Sequence, residues 1–114
     1  MEETEKKRKD WNKTTAYKKL AESLRENLQA RGLNSKVYED KLKEYLDFWC
    51  RRQELKADVA KRGLTVMDDR GRITENRSIS LEIQVSRQML AIFTTLGFKA
   101  DEKGLNAGGD DDDL

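Results

Sequence analysis

The side chains able to do chemistry in this sequence are charged, and they are sorted by sign. Lys6, Lys7, Arg8 and Lys9 open a basic stretch that continues through Lys13, Lys18 and Lys19, and Arg70, Arg72 and Arg77 form a second group. Lysine and arginine at this density neutralise phosphates and release their condensed counterions. The opposite sign is gathered in Asp110, Asp111, Asp112 and Asp113, followed by Leu114. Residues 1–31 carry nine Lys/Arg against six Asp/Glu, and residues 99–114 carry two against six, so a chain of net charge +1 has one basic and one acidic end. That polarity fits two different partners, or else two solvated tails. Arg51, Arg52, Lys61 and Arg62 lie near Glu54 and Asp58 and can be engaged in ion pairs along a helix.

Catalytic sets are missing. Without histidine there is no Ser–His or Cys–His pair and no imidazole ligand, and the one cysteine, Cys50, can build neither a disulfide nor a structural zinc site. No glycine-rich loop has the spacing that cradles a triphosphate or a dinucleotide. Asp68 and Asp69 read as turn formers rather than metal ligands, and Cys50 beside Trp49 reads as core. No nucleophile, base and orienting group come together. The expectation is a non-enzyme with no catalytic residue, metal or cofactor. No apolar run approaches the roughly 20 residues that span a bilayer, and no charged-then-apolar leader is visible, so a cytoplasmic, reducing compartment and no membrane partner are expected.

The elements that position these charges are punctuated by glycine, since the chain has no proline. Gly32-Leu33, Gly63-Leu64 and Gly97-Phe98 each follow an apolar residue four positions before the glycine: Leu28, Val59 and Phe93. A left-handed glycine followed by a hydrophobe that packs back on the last turn is a Schellman ending, so three helices with three such stops are predicted. The first is expected from about Asn12 to Arg31, with Tyr17, Leu20, Ala21, Leu24 and Leu28 on one face. The second is expected over Lys36 to Arg62, capped by Asn34 or Ser35, with Glu39 and Asp40 at its positive end. Its stripe is Tyr38, Leu42, Tyr45, Leu46 and Trp49, continued by Val59 and Ala60. Leu64 to Thr74 holds two short β-prone runs around Asp68-Asp69-Arg70-Gly71-Arg72, which reads as a hairpin. The third helix is expected from about Ser78 to Leu96; Ile79, Leu81, Ile83 and Val85 alternate like a strand, but no breaker separates them from the helical Met89, Leu90, Ile92, Phe93 and Leu96.

The fold class is therefore mainly all-α: two long helices and a third, a short β-hairpin between the second and third, and disordered termini. The expected organisation is a basic flexible segment over 1–11, a helical oligomerisation and DNA-binding domain over 12–98, and an acidic flexible tail over 99–114. With 36% hydrophobic and 39% charged residues, a single copy has little to build a core from. Tyr45, Trp49, Ile79, Ile83, Leu90 and Phe93 are the side chains expected to be covered by other copies.

From Tyr38 to Phe98 the chain resembles phage terminase small subunits. The features are Tyr38-Glu39-Asp40, the helix with Tyr45 and Trp49, Gly63-Leu64, the hairpin closing at Gly71-Arg72, then Glu75-Asn76-Arg77 leading into Ile79-Ser80-Leu81-Glu82-Ile83, and Leu96-Gly97-Phe98. Tyr17-Lys18-Lys19-Leu20 through Arg31-Gly32-Leu33 extends the likeness to residues from about 12 to 100. Family members often have Asn-Pro where this chain has Asn76-Arg77. The resemblance implies a ring-forming protein in the host cytoplasm that recognises double-stranded viral DNA and recruits and regulates the terminase large subunit, which carries the ATPase and nuclease. On that view Lys6, Lys7, Arg8, Lys9, Lys13, Lys18, Lys19, Arg70, Arg72 and Arg77 contact DNA, and Asp110 to Leu114 contact the large subunit. A helical protein–protein adaptor and a helix-turn-helix regulator are the alternatives, the latter because the Gly32–Ser35 turn is short enough.

Overall fold

The computed structural model describes residues 10–98. A short 3-10 turn, Trp11–Lys13, leads into α1 (Thr15–Ala30). It is followed by α2 (Lys36–Arg62), the antiparallel strands β1 (Thr65–Met67) and β2 (Ile73–Glu75), and α3 (Arg77–Thr95). The predicted architecture and the bounds of α2 are met. The first helix starts later than expected because Thr14 interrupts it: its hydroxyl accepts from the Tyr17 amide and so caps α1. Ser35 stands at the start of α2, but its hydroxyl makes no capping bond.

Both α1 and α3 run antiparallel to α2. Along α1 and α2, Tyr17 meets Trp49, Arg25 meets Glu39, and Leu28 and Leu42 share one core. Along α2 and α3, Tyr45 meets Phe93, Arg52 meets Glu82, and Asp58 meets Ser78. The α1–turn–α2 unit is thus an antiparallel hairpin, unlike the angled pair of a DNA-reading helix-turn-helix. Ala21, Leu28, Leu42, Leu46, Ile92 and Leu96 form the core where all three helices meet. Arg31 closes that end. It donates to the Leu96 carbonyl at 3.0 Å and lies over the Phe98 ring at 5.2 Å. Beyond the reach of α1, α2 and α3 continue as a two-helix arm, and the described chain is elongated, 55 × 32 × 24 Å.

Two of the three glycine stops take the predicted form. Leu33 donates to the Leu28 carbonyl and Gly32 to that of Gln29, and Phe98 donates to Phe93 and Gly97 to Thr94. The third does not. Gly63 has φ 89 and ψ −173, a region essentially confined to glycine. It makes one bond back to the Val59 carbonyl. This conformation throws the chain outward into β1, so Leu64 is exposed rather than packed on Val59. Two burial expectations also change. Ala60 is exposed, and Cys50 is half-buried at the surface of α2 rather than in the core.

Candidate nucleic-acid interface

The hairpin is short, with Thr65, Val66 and Met67 opposite Glu75, Thr74 and Ile73, and two strands of three residues do not hold themselves together in water. Polar bonds at both ends do that work. At the tip, the Asp68 carboxylate accepts from the Arg70 and Arg72 amides at 2.9 and 2.8 Å and pairs with the Arg72 guanidinium at 3.0 Å. Those amide bonds, the Arg72 one foremost, hold its carboxyl below the usual range. Asp68 is therefore the turn former that its position in the sequence suggested.

At the base, Asn76 is fully buried (0% exposed) and uses every part of its amide. Its Oδ1 accepts from the Ser78 amide at 2.9 Å, capping α3, and from Arg62 at 3.3 Å. Its Nδ2 donates to the Gly63 carbonyl at 3.0 Å, and its backbone amide donates to Leu64. Next to it, Asp58 takes both arms of Arg62 at 2.7 Å and the Ser78 hydroxyl at 2.7 Å. These bonds, that from Arg62 first, push the Asp58 carboxyl far below its ordinary range and raise Arg62 in turn. The end of α2, the hairpin and the start of α3 are thereby locked in one orientation.

This clamp decides which cations face outward. Arg62 is held by Asp58, Arg52 by Glu82 of α3, and Arg72 partly by Asp68. Arg70 and Arg77 are exposed, and neither is among the ion-paired arginines of the described residues. Lys13 lies 3.3 Å from Asp10, and Lys18 and Lys19 are exposed on α1. The two groups are not brought together. The α1 lysines sit at the level of Trp49, whereas the hairpin begins after Arg62, about 20 Å further along α2 by helical rise. Lys6, Lys7, Arg8 and Lys9, and Asp110 to Leu114, lie outside the described residues.

The expected self-association residues divide as well. Ile83 and Leu90 are 49% and 65% exposed on the outer side of α3, flanked by half-buried Ile79 and Phe93. Tyr45 lies against Phe93 at 6.1 Å and borders the same face. Trp49 instead packs between Trp11 (6.3 Å) and Tyr17 (5.9 Å) within one copy. The buried side of α3 is Val85, Met89 and Ile92, so its apolar surface is two-sided. At the hairpin, Leu64, Met67 and Ile73 are also exposed.

For chemistry the site offers little besides charge. Burial, then the carboxylates of Asp47 and Glu54, raise the Cys50 thiol, which keeps it protonated. No group of three or more His, Cys, Asp or Glu among the described residues is placed to hold a metal, and no helix among them is long and apolar enough to cross a membrane. The sequence pattern did not single out the Asp58–Ser78–Asn76 clamp. The one hint was the Asp58/Arg62 spacing of four. A family model described as phage terminase, small subunit, matches residues 14–112. Neither the curated proteins nor the solved structures give a match.

Proposed function

The chain belongs to the phage terminase small-subunit family, proteins of phage DNA packaging, and on that premise we propose that it binds viral double-stranded DNA as a ring of identical copies and hands it to the large subunit. The observation that carries this reading is the hairpin end, where a buried clamp holds two unpaired arginines, Arg70 and Arg77, outward on a fixed scaffold. One such group binds DNA weakly, but several copies around an axis engage together and multiply the effective affinity. The uncovered Ile83 and Leu90 supply the apolar contact between copies, with Ile79, Phe93 and Tyr45 around them. Lys6 to Lys9, Lys13, Lys18, Lys19 and Arg72 add to the phosphate contacts, and Asp110 to Leu114 reach the large subunit. The chain itself is a regulatory component without catalysis, working in the host cytoplasm.

Two measurements test this. Light scattering after gel filtration is expected to give a closed oligomer, reduced to monomer by Leu90→Glu with Ile83→Glu. A wild-type monomer at micromolar concentration overturns the ring. In mobility-shift titrations at two salt concentrations, Arg70→Ala/Arg77→Ala is expected to lower affinity and reduce the salt slope by about one per arginine per engaged copy. An unchanged slope removes the hairpin from the interface.

A further inference from the structure

On the flank of α2 and α3 opposite Leu90 lies a groove of about 440 Å³, lined by Phe48, Arg51, Leu55, Leu81, Val85 and Arg87 with two glutamines. Leu81 and Leu90 are nine residues apart, about two and a half turns, which puts them on opposite sides of α3. The groove combines an apolar floor with charge of one sign, since two arginines and no carboxylate line it. Arg51 lies 5.8 Å over the Phe48 ring. The ion-paired arginines of the described residues are Arg25, Arg52, Arg62 and Arg72, so neither Arg51 nor Arg87 is held in an ion pair among them, although Arg51 also borders Asp47 and Glu54 on its other side. An apolar ridge such as Ile83–Leu90 of a second copy would fill the floor but enclose two guanidinium groups unpaired, which is strongly unfavourable. The fitting occupant is a segment that is both acidic and dotted with hydrophobes.

We propose that this groove binds the chain's own acidic segment, residues 99–114. The charges match: Asp110 to Asp113 set four carboxylates against Arg51 and Arg87, and Leu105 and Leu114 are available for the floor. The reach is ample. Phe98 is fixed to the end of α3, its amide on the Phe93 carbonyl and its ring 5.1 Å from that of Phe93. Gln84, in the groove, lies about 20 Å back along α3 by helical rise. Sixteen residues follow Phe98, and extended they span about 50 Å. A docked segment is withheld from other basic or protein partners until something displaces it. The contact stands apart from the packaging reading, and failure of DNA or large-subunit binding leaves it intact.

The full chain carrying Cys50→Ser tests it through disulfide formation in a glutathione redox buffer. Gln84→Cys paired with Gly109→Cys reports the groove, and Ser86→Cys paired with Gly109→Cys reports the opposite flank, beside Tyr45 and Leu90 and about 18 Å back from Phe98 by the same helical rise. At low salt the groove pair is expected to close at least tenfold faster than the flank pair. Arg51→Glu/Arg87→Glu, or Asn at all four of Asp110 to Asp113, is expected to erase that advantage. Equal rates on the two flanks overturn the proposal. So does a fast groove pair that survives both sets of charge changes. A Gln84→Cys thiol that stays shielded from alkylation in the asparagine variant shows that a second copy covers the groove, and overturns it too.

Discussion

The two ends of the α2–α3 pair are held by opposite kinds of force. At the α1 end, Leu42, Leu46, Leu96 and their neighbours exclude water over an apolar cluster, an interaction that is strong in total and indifferent to direction. At the hairpin end, Leu64, Met67 and Ile73 face solvent, and order comes from Asn76, Asp58, Arg62 and Ser78 through bonds of fixed geometry. Apolar burial suits a part that only has to be stable. Directional bonds suit a part that must present Arg70 and Arg77 at set angles on a surface too small to have a core. The difference teaches that the same pair of helices serves as both scaffold and display, and that disturbing the two ends has different consequences.

The largest effect that separates them is Leu42→Ala. Leu42 is fully enclosed (0% exposed), so truncation is expected to cost about 3–5 kcal/mol and to lower the thermal midpoint of the whole molecule. Calorimetry that shows loss in the hairpin alone would break the comparison. Asn76→Ala comes next. It removes the cap of α3 and orphans the Gly63 carbonyl, an expected loss of about 2–3 kcal/mol. Amide exchange is expected to accelerate in β1, β2 and the first turn of α3 before it changes at Leu28 or Leu46. Uniform acceleration at both ends would show that the clamp is not a local device.

Acid should have the smallest effect and the sharpest location. The Asp58 carboxyl titrates lower in the folded chain than in the unfolded one, chiefly because Arg62 and Ser78 donate to it. Its contribution is therefore complete above an unfolded carboxylate value of about 4 and is lost as pH falls below that. Between about pH 4 and 2 the hairpin end is expected to loosen while ring contacts among Trp11, Tyr17 and Trp49 persist, a split that NMR side-chain shifts can follow. Simultaneous loss of both would assign the acid response to charge repulsion across the whole chain.

Much of the fold was legible because it is local. Periodicity placed α1 and α3 to within a few residues and α2 from Lys36 to Arg62, and glycines at 32, 63 and 97 marked the stops. The candidate site was less legible. The same composition rule that singled out Arg72 and Arg77 could not separate Arg77, which is exposed, from Arg72, which is tied to Asp68. Trp49 shares a stripe with Tyr45 in the sequence, yet it meets Trp11 and Tyr17 on the α1 side while Tyr45 meets Phe93 of α3.

By itself, then, the sequence determined three helices, a hairpin between the last two, the sorting of charge by sign and a family likeness. Each of these depends on residues within a turn or two of one another or on composition. Tertiary structure alone decided that Asn76 is a buried clamp, that Arg52 is occupied by Glu82, and that Arg51 and Arg87 share an apolar groove. The physical reason is that a charge's partner, and the water it gives up, are set by elements that become neighbours only when α3 folds back along α2.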